Sequence, residues 1–109
     1  MGLNAFTKTG NTVTFTAASS APTAVQCVST TLGGNQYRVI NNGTVTVFLG
    51  YGTTAAEANA AAVQVTSSQA AFPLLPSTDE ILTFVPNAYF TGVTASGTAV
   101  VYITPGDGL

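Results

Sequence analysis

The sequence predicts an all-β fold, an antiparallel β-sandwich or jelly-roll-like barrel of about eight short strands. Three observations support this fold class. Short runs such as NTVTFTA alternate between apolar and polar residues, clusters of Gly, Pro and Asn separate the runs, and the one helix-forming stretch is short and rich in alanine. A chain of 109 residues is long enough for one core. We therefore expect a single sandwich domain over residues 1–109, with roughly the first ten residues as an extended arm.

The N-terminal part predicts three strands. The first covers Leu3–Lys8, and a turn at Thr9–Asn11 follows it. The second covers Asn11–Ala17, where threonines alternate with apolar residues, so one side of this strand is expected to be buried and the other exposed. The third covers Ala24–Ser29 and contains Cys27, which we expect to be a small buried hydrophobic residue.

The centre of the chain predicts a β-hairpin. Two β-rich runs within Asn35–Gly52 flank the tripeptide Asn41-Asn42-Gly43. Asn-Gly supplies the positive φ angles that a two-residue hairpin turn needs. We therefore expect Gly43 to adopt positive φ and the two runs to pair with each other.

One short helix, at most, is expected near residues 54–62. Alanine favours a helix, and Thr54 followed three residues later by Glu57 has the spacing of a capping box. A helix this short is unstable by itself, so it must pack on a sheet.

The segment PLLP follows, in which Leu74 and Leu75 stand between two prolines. Apolar residues in such a rigid, extended segment either fill a core or contact a partner. The core is the expected place here, and a partner contact remains the alternative.

Three strands are predicted in the C-terminal part, at Asp79–Val85, Tyr89–Ala95 and Gly97–Thr104, and Pro105 is expected to end the last. Both faces of the last strand are partly apolar. A strand of this kind lies in the middle of a sheet or under a neighbouring element.

Charge and composition exclude several functions. The chain has two Lys or Arg, four Asp or Glu, no His and one Cys. Two separated cations cannot displace the counterions of DNA, so nucleic acid is not an expected partner. The apolar runs are far shorter than the roughly 20 residues of a membrane helix, so no membrane is expected either. Zinc sites and Ser-His-Asp or Cys-His arrangements need residues that the chain lacks. We expect a protein that is not an enzyme and has no cofactor.

The remaining candidates are interface residues. Adjacent residues of a strand face opposite sides, so Asp79 and Glu80 are poorly placed as a catalytic pair. Arg38 is either an exposed strand residue or a partner for an acid or a ring at an interface. Tyr51 could line a binding face with other aromatic residues, although at least half of them should belong to the core. The candidate interface residues are Arg38, Leu74, Leu75, Tyr89, Phe90 and Tyr102.

Two segments resemble small virion structural proteins of tailed bacteriophages. They are YRVINNGTVTVFLGYGTTAAEANA and FPLLPSTDEILTFVPNAYFTGVTASGTAVVYITPGDGL, and the likeness covers roughly Gln36–Leu109. The family pattern is a strand, turn and strand ending in an aromatic-Gly pair, then an Ala-rich segment, a PLLP element and a final GTAVVYITPG strand.

This resemblance implies a β-sandwich subunit of the virion, made in the bacterial host cytoplasm and incorporated as a capsid decoration or cement protein. Its implied partners are the major capsid protein or other virion proteins, and no catalytic residue is implied. A tail, neck or fibre component is an alternative, as is a module that binds a glycan of the host surface.

The scarcity of charge also predicts a homo-oligomer. No Lys or Arg follows Arg38, whereas natural edge strands are usually protected by charges or proline. We expect partner subunits to cover these edges in a closed assembly, with a trimer favoured.

Overall fold

The computed structural model describes residues 6–29 and 35–107. In these residues nine strands and one helix occur. Their bounds are β1 (Thr7–Lys8), β2 (Val13–Ala17), β3 (Val25–Gln26), β4 (Gln36–Asn41), β5 (Val47–Gly52), α1 (Ala55–Ala61), β6 (Phe72–Leu74), β7 (Thr78–Thr83), β8 (Tyr89–Val93) and β9 (Ala99–Asp107).

The strands form two antiparallel sheets that pack face to face. The five-stranded sheet has the order β1-β9-β4-β7, and β2 also pairs with β9. The four-stranded sheet has the order β3-β8-β5-β6. The prediction of an all-β sandwich is confirmed, and the sheets do not close into a barrel. The predicted short helix near residues 54–62 is confirmed as well.

Strand β9 lies in the middle of its sheet, as its two apolar faces predicted. It pairs with β4 along one edge and with β1 and β2 along the other. Its inward residues Ala99, Val101 and Ile103 are buried, whereas Tyr102 faces solvent on the other side. The expectation that Pro105 ends this strand is wrong. The strand continues to Asp107, and the carbonyl oxygen of Pro105 accepts a hydrogen bond of 2.9 Å from the Thr9 amide.

The core lies between the sheets and is centred on two aromatic rings. Tyr37 of β4 and Phe90 of β8 are fully buried and pack edge to face, with centroids 4.9 Å apart. The Tyr37 hydroxyl donates to the Val85 carbonyl and accepts a hydrogen bond of 3.1 Å from the Ala88 amide. Burial raises the pKa of this hydroxyl above its ordinary value of 10.0. The hydroxyl of Tyr37 therefore connects the turn after β7 to the core through two hydrogen bonds.

The predicted central hairpin is wrong, because β4 and β5 belong to different sheets. Residues 42–46 form a corner that carries the chain from one sheet to the other. Gly43 is not among the residues with positive φ. A glycine is needed there for another reason, since a Cβ at this position would lie 2.3 Å from the Cβ of Ala99.

The corner is held by Asn41, whose side chain is fully buried. Its Nδ2 donates to the carbonyl oxygens of Val45 and Leu74, at 2.9 and 3.0 Å. Its Oδ1 accepts from the Gly43 amide at 3.0 Å. Two backbone groups of the corner and one of β6 are thereby satisfied. This side chain joins the end of β4 to the corner and to β6 in the other sheet.

Two other predicted strands differ in length from the observed ones. The predicted strand Ala24–Ser29 is reduced to the two residues of β3, although the Cys27 amide still donates to Ala88 of the neighbouring chain segment at 2.9 Å. Only Thr7–Lys8 of the predicted strand Leu3–Lys8 is observed as a strand, paired with β9. Residues 3–5 of that prediction, and the beginning of the predicted arm, lie outside the described residues.

Helix α1 begins and packs largely as its sequence predicts. The Thr54 hydroxyl caps it by accepting from the Glu57 amide at 3.2 Å. The Glu57 carboxylate reaches one residue further than in a capping box and accepts from both the amide and the hydroxyl of Thr53. The helix lies on β5, where a Cβ at Gly50 would approach the Ala58 carbonyl oxygen to 2.4 Å. The helix therefore covers part of the outer face of the four-stranded sheet.

Candidate functional site

The outer face of the five-stranded sheet carries several exposed side chains. On the four-stranded sheet, α1 packs on β5 and β8, and Thr91 of β8 donates to the Pro22 carbonyl. On the five-stranded sheet, the ring of Phe6 lies where a Cβ of Gly106 would point, whereas Thr14, Arg38 and Tyr102 are exposed. Its outward residues are Thr12, Thr14 and Thr16 beside β9, Val100, Tyr102 and Thr104 on β9, Gln36, Arg38 and Ile40 on β4, and Asp79, Ile81 and Thr83 on β7.

The strand register places four of these residues in one row across the sheet. Thr14 lies opposite Tyr102, Tyr102 lies opposite Ile40, and Ile40 lies opposite Asp79. Residues directly opposite each other in antiparallel strands share a face. The row therefore runs from a hydroxyl, past an aromatic ring and an aliphatic side chain, to a carboxylate.

An exposed ion pair stands at the end of this row. The Nε and Nη2 atoms of Arg38 both donate to Oδ2 of Asp79, with 3.0 Å between Nε and Oδ2. The two side chains are 50% and 46% exposed. An ion pair this exposed contributes little to stability. Among the described residues, Nη1 of Arg38 and Oδ1 of Asp79 have no hydrogen-bond partner, so the guanidinium keeps unused N–H donors and the carboxylate keeps an unused acceptor oxygen.

A hollow of about 310 Å³ lies beside the ion pair. Its lining residues are Arg38, Ile40, Asn41, Asn42, Ser77, Thr78 and Asp79. A volume of this size lies at the lower end of the range for small-molecule sites.

A second surface, which we call the loop end, lies where three connections meet. They are residues 42–46, 75–77 and 94–98, and none of them carries a charged side chain. Leu75, at 61% exposed, is the most exposed large apolar side chain among the described residues. The next residue, Pro76, lines an open hollow of about 430 Å³ whose other lining residues are Thr44, Val45, Thr46, Phe48, Ala95 and Ser96. The loop end is thus an uncharged surface on which an exposed leucine stands among apolar and neutral polar side chains.

The six predicted interface residues do not form one site. Leu74 and Phe90 are fully buried in the core and do not reach the surface. Tyr89 is half-buried at the start of β8. The other three are at the surface, with Arg38 and Tyr102 on the outer face of the five-stranded sheet and Leu75 at the loop end.

Several residues of the outer face, Ile81 and Ile40 among them, were not among the predicted interface residues. Ile81, at 49% exposed, alternates with Asp79 on β7, and that alternation is visible in the sequence. Ile40 follows Arg38 at the same spacing on β4. Neither was recognisable as a surface residue, because the sequence does not say which face of a strand is buried.

The titratable groups offer little reactive chemistry. Cys27 is fully buried, and burial raises the pKa of its thiol to about 12. Asp79 lies opposite Ile40 and Glu80 opposite Val39, so the two carboxylates leave opposite sides of the strand, as expected. Within the described part of the chain, no three His, Cys, Asp or Glu side chains are grouped so that they could hold a metal ion.

Comparison of the chain with protein-family models, with curated protein sequences and with solved structures finds no match. The functional argument therefore depends on the chain's own residues. Of the described residues, none belongs to a helix with the length and apolar character needed to cross a membrane.

Proposed function

We propose that this chain is a non-enzymatic structural protein of a tailed-bacteriophage virion, and more narrowly a decoration or cement protein that binds the outer shell of the head. The observation that carries the proposal is the loop end, an uncharged surface that exposes Leu75 beside an apolar hollow. The resemblance of residues 36–109 to small virion structural proteins supports the same function.

The loop end suits attachment to another protein. Burial of a leucine side chain contributes about 1.5–3 kcal/mol, and here no charged group of the three connections would lose its water. A single contact of this size gives weak binding. On a shell with many equivalent positions, subunits that are joined in an oligomer combine several weak contacts into stable attachment.

A closed homo-oligomer, with a trimer as the first expectation, remains part of the proposal. The edge strands are better protected than the scarcity of charge suggested. Strand β7 carries Asp79 and Glu80, β6 contains Pro73, and β3 has two residues. Pairing of open edges is therefore a weaker reason for assembly than the exposed apolar residues of the loop end.

The test uses heads purified from a phage that lacks the gene for this chain. We expect the purified chain to bind those heads in many copies and to raise the temperature at which they break open. Leu75→Asp should weaken the binding about tenfold or more, because it puts a charge into the contact.

The matched control is Val85→Asp. Val85 is also an exposed apolar residue, but it follows the opposite end of β7. Its substitution should leave head binding unchanged. Binding at only a few copies for each particle would indicate a neck or tail position, and equal binding by both variants would exclude the loop end. Light scattering of the free chain gives the oligomeric state, and a monomer at high concentration that does not bind heads would contradict the proposal.

A further inference from the structure

The corner between β4 and β5 contains the only Asn-Gly dipeptide of the sequence, Asn42-Gly43. Asn42 is exposed, and its side-chain amide makes no hydrogen bond among the described residues. Its backbone N–H donates to the Val100 carbonyl oxygen at 2.9 Å. The backbone of Asn42 is therefore held in place, whereas no described contact restrains its side chain.

An asparagine followed by glycine can modify itself without an enzyme. The backbone nitrogen of Gly43 attacks Cγ of Asn42, and glycine has no Cβ to obstruct this approach. A bond forms between that nitrogen and Cγ, the bond between Cγ and Nδ2 breaks, and Nδ2 leaves as ammonia with the proton of the Gly43 amide. Water then opens the resulting succinimide ring at one of its two carbonyl groups. The product at position 42 is an aspartate or an isoaspartyl linkage, and water is the only co-reactant.

The packing of the corner requires the same glycine. A Cβ at Gly43 would lie 2.3 Å from the Cβ of Ala99, a distance at which one of the two residues must move. The fold thus keeps at position 43 the residue type that makes Asn42 reactive.

The side chain of Asn41 restrains the attacking nitrogen. The Gly43 amide donates to Oδ1 of Asn41 at 3.0 Å, and it must lose that proton before it can bond to Cγ of Asn42. Asn41 is fully buried, and its Nδ2 is held by the carbonyl oxygens of Val45 and Leu74. The ring can therefore close only when the hydrogen bond between Gly43 and Asn41 opens, which is a local opening of the corner.

We infer that Asn42 is a self-modification site, which deamidates in the folded chain at a rate set by the opening of the hydrogen bond between Gly43 and Asn41. This inference does not depend on the virion function. Its product places a negative charge on the loop end, whose three connections otherwise carry none.

The test follows deamidation in the folded chain, incubated in a mildly alkaline buffer and sampled over days. Chymotryptic peptides are analysed by chromatography and mass spectrometry, which locate the modified residue and separate aspartate from isoaspartate. Asn11 and Asn59 are internal controls, because both are exposed but precede Thr12 and Ala60. We expect Asn42 to react about tenfold faster or more than either control, and faster still when the chain is unfolded in urea.

A pair of variants separates local from global opening. Asn41→Ala removes the restraint on the Gly43 amide and should speed the reaction of Asn42 toward its rate in the unfolded chain. Tyr37→Phe is the matched control, since it removes two hydrogen bonds of the core and leaves the corner intact. It should leave the rate at Asn42 unchanged while the chain remains folded.

Three results would each overturn the inference. These are no faster reaction at Asn42 than at Asn11 in the folded chain, equal rates at Asn42 in the folded and unfolded chain, and equal acceleration by Asn41→Ala and Tyr37→Phe. If Asn41→Ala does not fold, the first two comparisons still decide the question.

One consequence rests on the proposed function. Ion exchange separates the deamidated chain from the unmodified chain of the same sample, because the product carries one more negative charge. The deamidated chain should bind heads about threefold more weakly or worse, since its new charge must lose water in the contact. Failure of both forms to bind heads would contradict the proposed function and leave the modification of Asn42 unaffected.

Discussion

Replacement of Asn41 by alanine removes three hydrogen bonds at the corner between the two sheets. The Leu74 carbonyl oxygen loses a buried donor at 3.0 Å, and the Val45 carbonyl oxygen and the Gly43 amide lose partly buried partners at 2.9 and 3.0 Å. Each buried polar group left without a partner costs about 1–3 kcal/mol. We therefore expect Asn41→Ala to lower the free energy of unfolding by about 3–5 kcal/mol, allowing for the exposed share of two of the bonds.

A loss of this size is a large part of the total stability of a small domain, which is about 5–15 kcal/mol. It can be measured by urea denaturation followed by far-UV circular dichroism, provided that the m-value is unchanged. The chain has no tryptophan, so circular dichroism is a better probe than intrinsic fluorescence.

The adjacent residue supplies a matched control. Asn42 has the same side chain but is exposed, and its side chain makes no hydrogen bond among the described residues. Asn42→Ala should change the stability by less than about 0.5 kcal/mol. If Asn41→Ala costs less than about 1 kcal/mol, or if the two alanine variants are equal, the role assigned to Asn41 is wrong.

Three other predictions concern single residues. Gly43→Ala should lower the free energy of unfolding by about 2 kcal/mol or more, because the new Cβ would lie 2.3 Å from the Cβ of Ala99. Adding Ala99→Gly to this variant should recover part of that loss, and a Gly43→Ala variant of unchanged stability would exclude the close approach of residues 43 and 99. Cys27 should not react with a thiol reagent at pH 8 until the chain is unfolded in urea, because burial raises the pKa of its thiol to about 12 and only about one thiol in ten thousand is then ionised. Rapid modification of the folded chain would contradict the burial of Cys27. Hydrogen bonds from Thr53 hold the pKa of Glu57 below 4.5, so the contribution of Glu57 to stability is present at neutral pH and is lost as the pH falls through that lowered pKa. An NMR titration that gives Glu57 an ordinary pKa would show that these hydrogen bonds are absent in solution.

The sequence predicted the elements whose signals are local. The threonine alternation of β2 identified a strand with one buried side, and Phe15 on that side is indeed buried. The spacing of Thr54 and Glu57 identified the start of α1, because capping depends on residues within one turn. The two apolar faces of β9 correctly indicated a central strand, since such a strand can exist only with neighbours on both sides.

The partners of each strand were decided by the tertiary structure alone. Asn41-Asn42-Gly43 has the composition of a hairpin turn, yet it makes a corner between sheets. Gly43 approaches Ala99, which lies 56 positions later in the chain. Asn41 donates a hydrogen bond to the carbonyl oxygen of Leu74, which lies 33 positions later. Local propensity does not include such contacts.

The candidate sites were likewise predicted in part from the sequence and decided in part by the tertiary structure. Composition alone indicated a chain with little reactive chemistry, and it selected Arg38 and Tyr102 as candidate interface residues. Their position on one open face with Ile40 and Asp79 depends on the register of β4 between β7 and β9. The sequence also could not separate Leu74 from Leu75, which are adjacent in the same PLLP segment. The end of β6 turns one of them into the core and leaves the other in solvent, because successive side chains of an extended chain point in opposite directions.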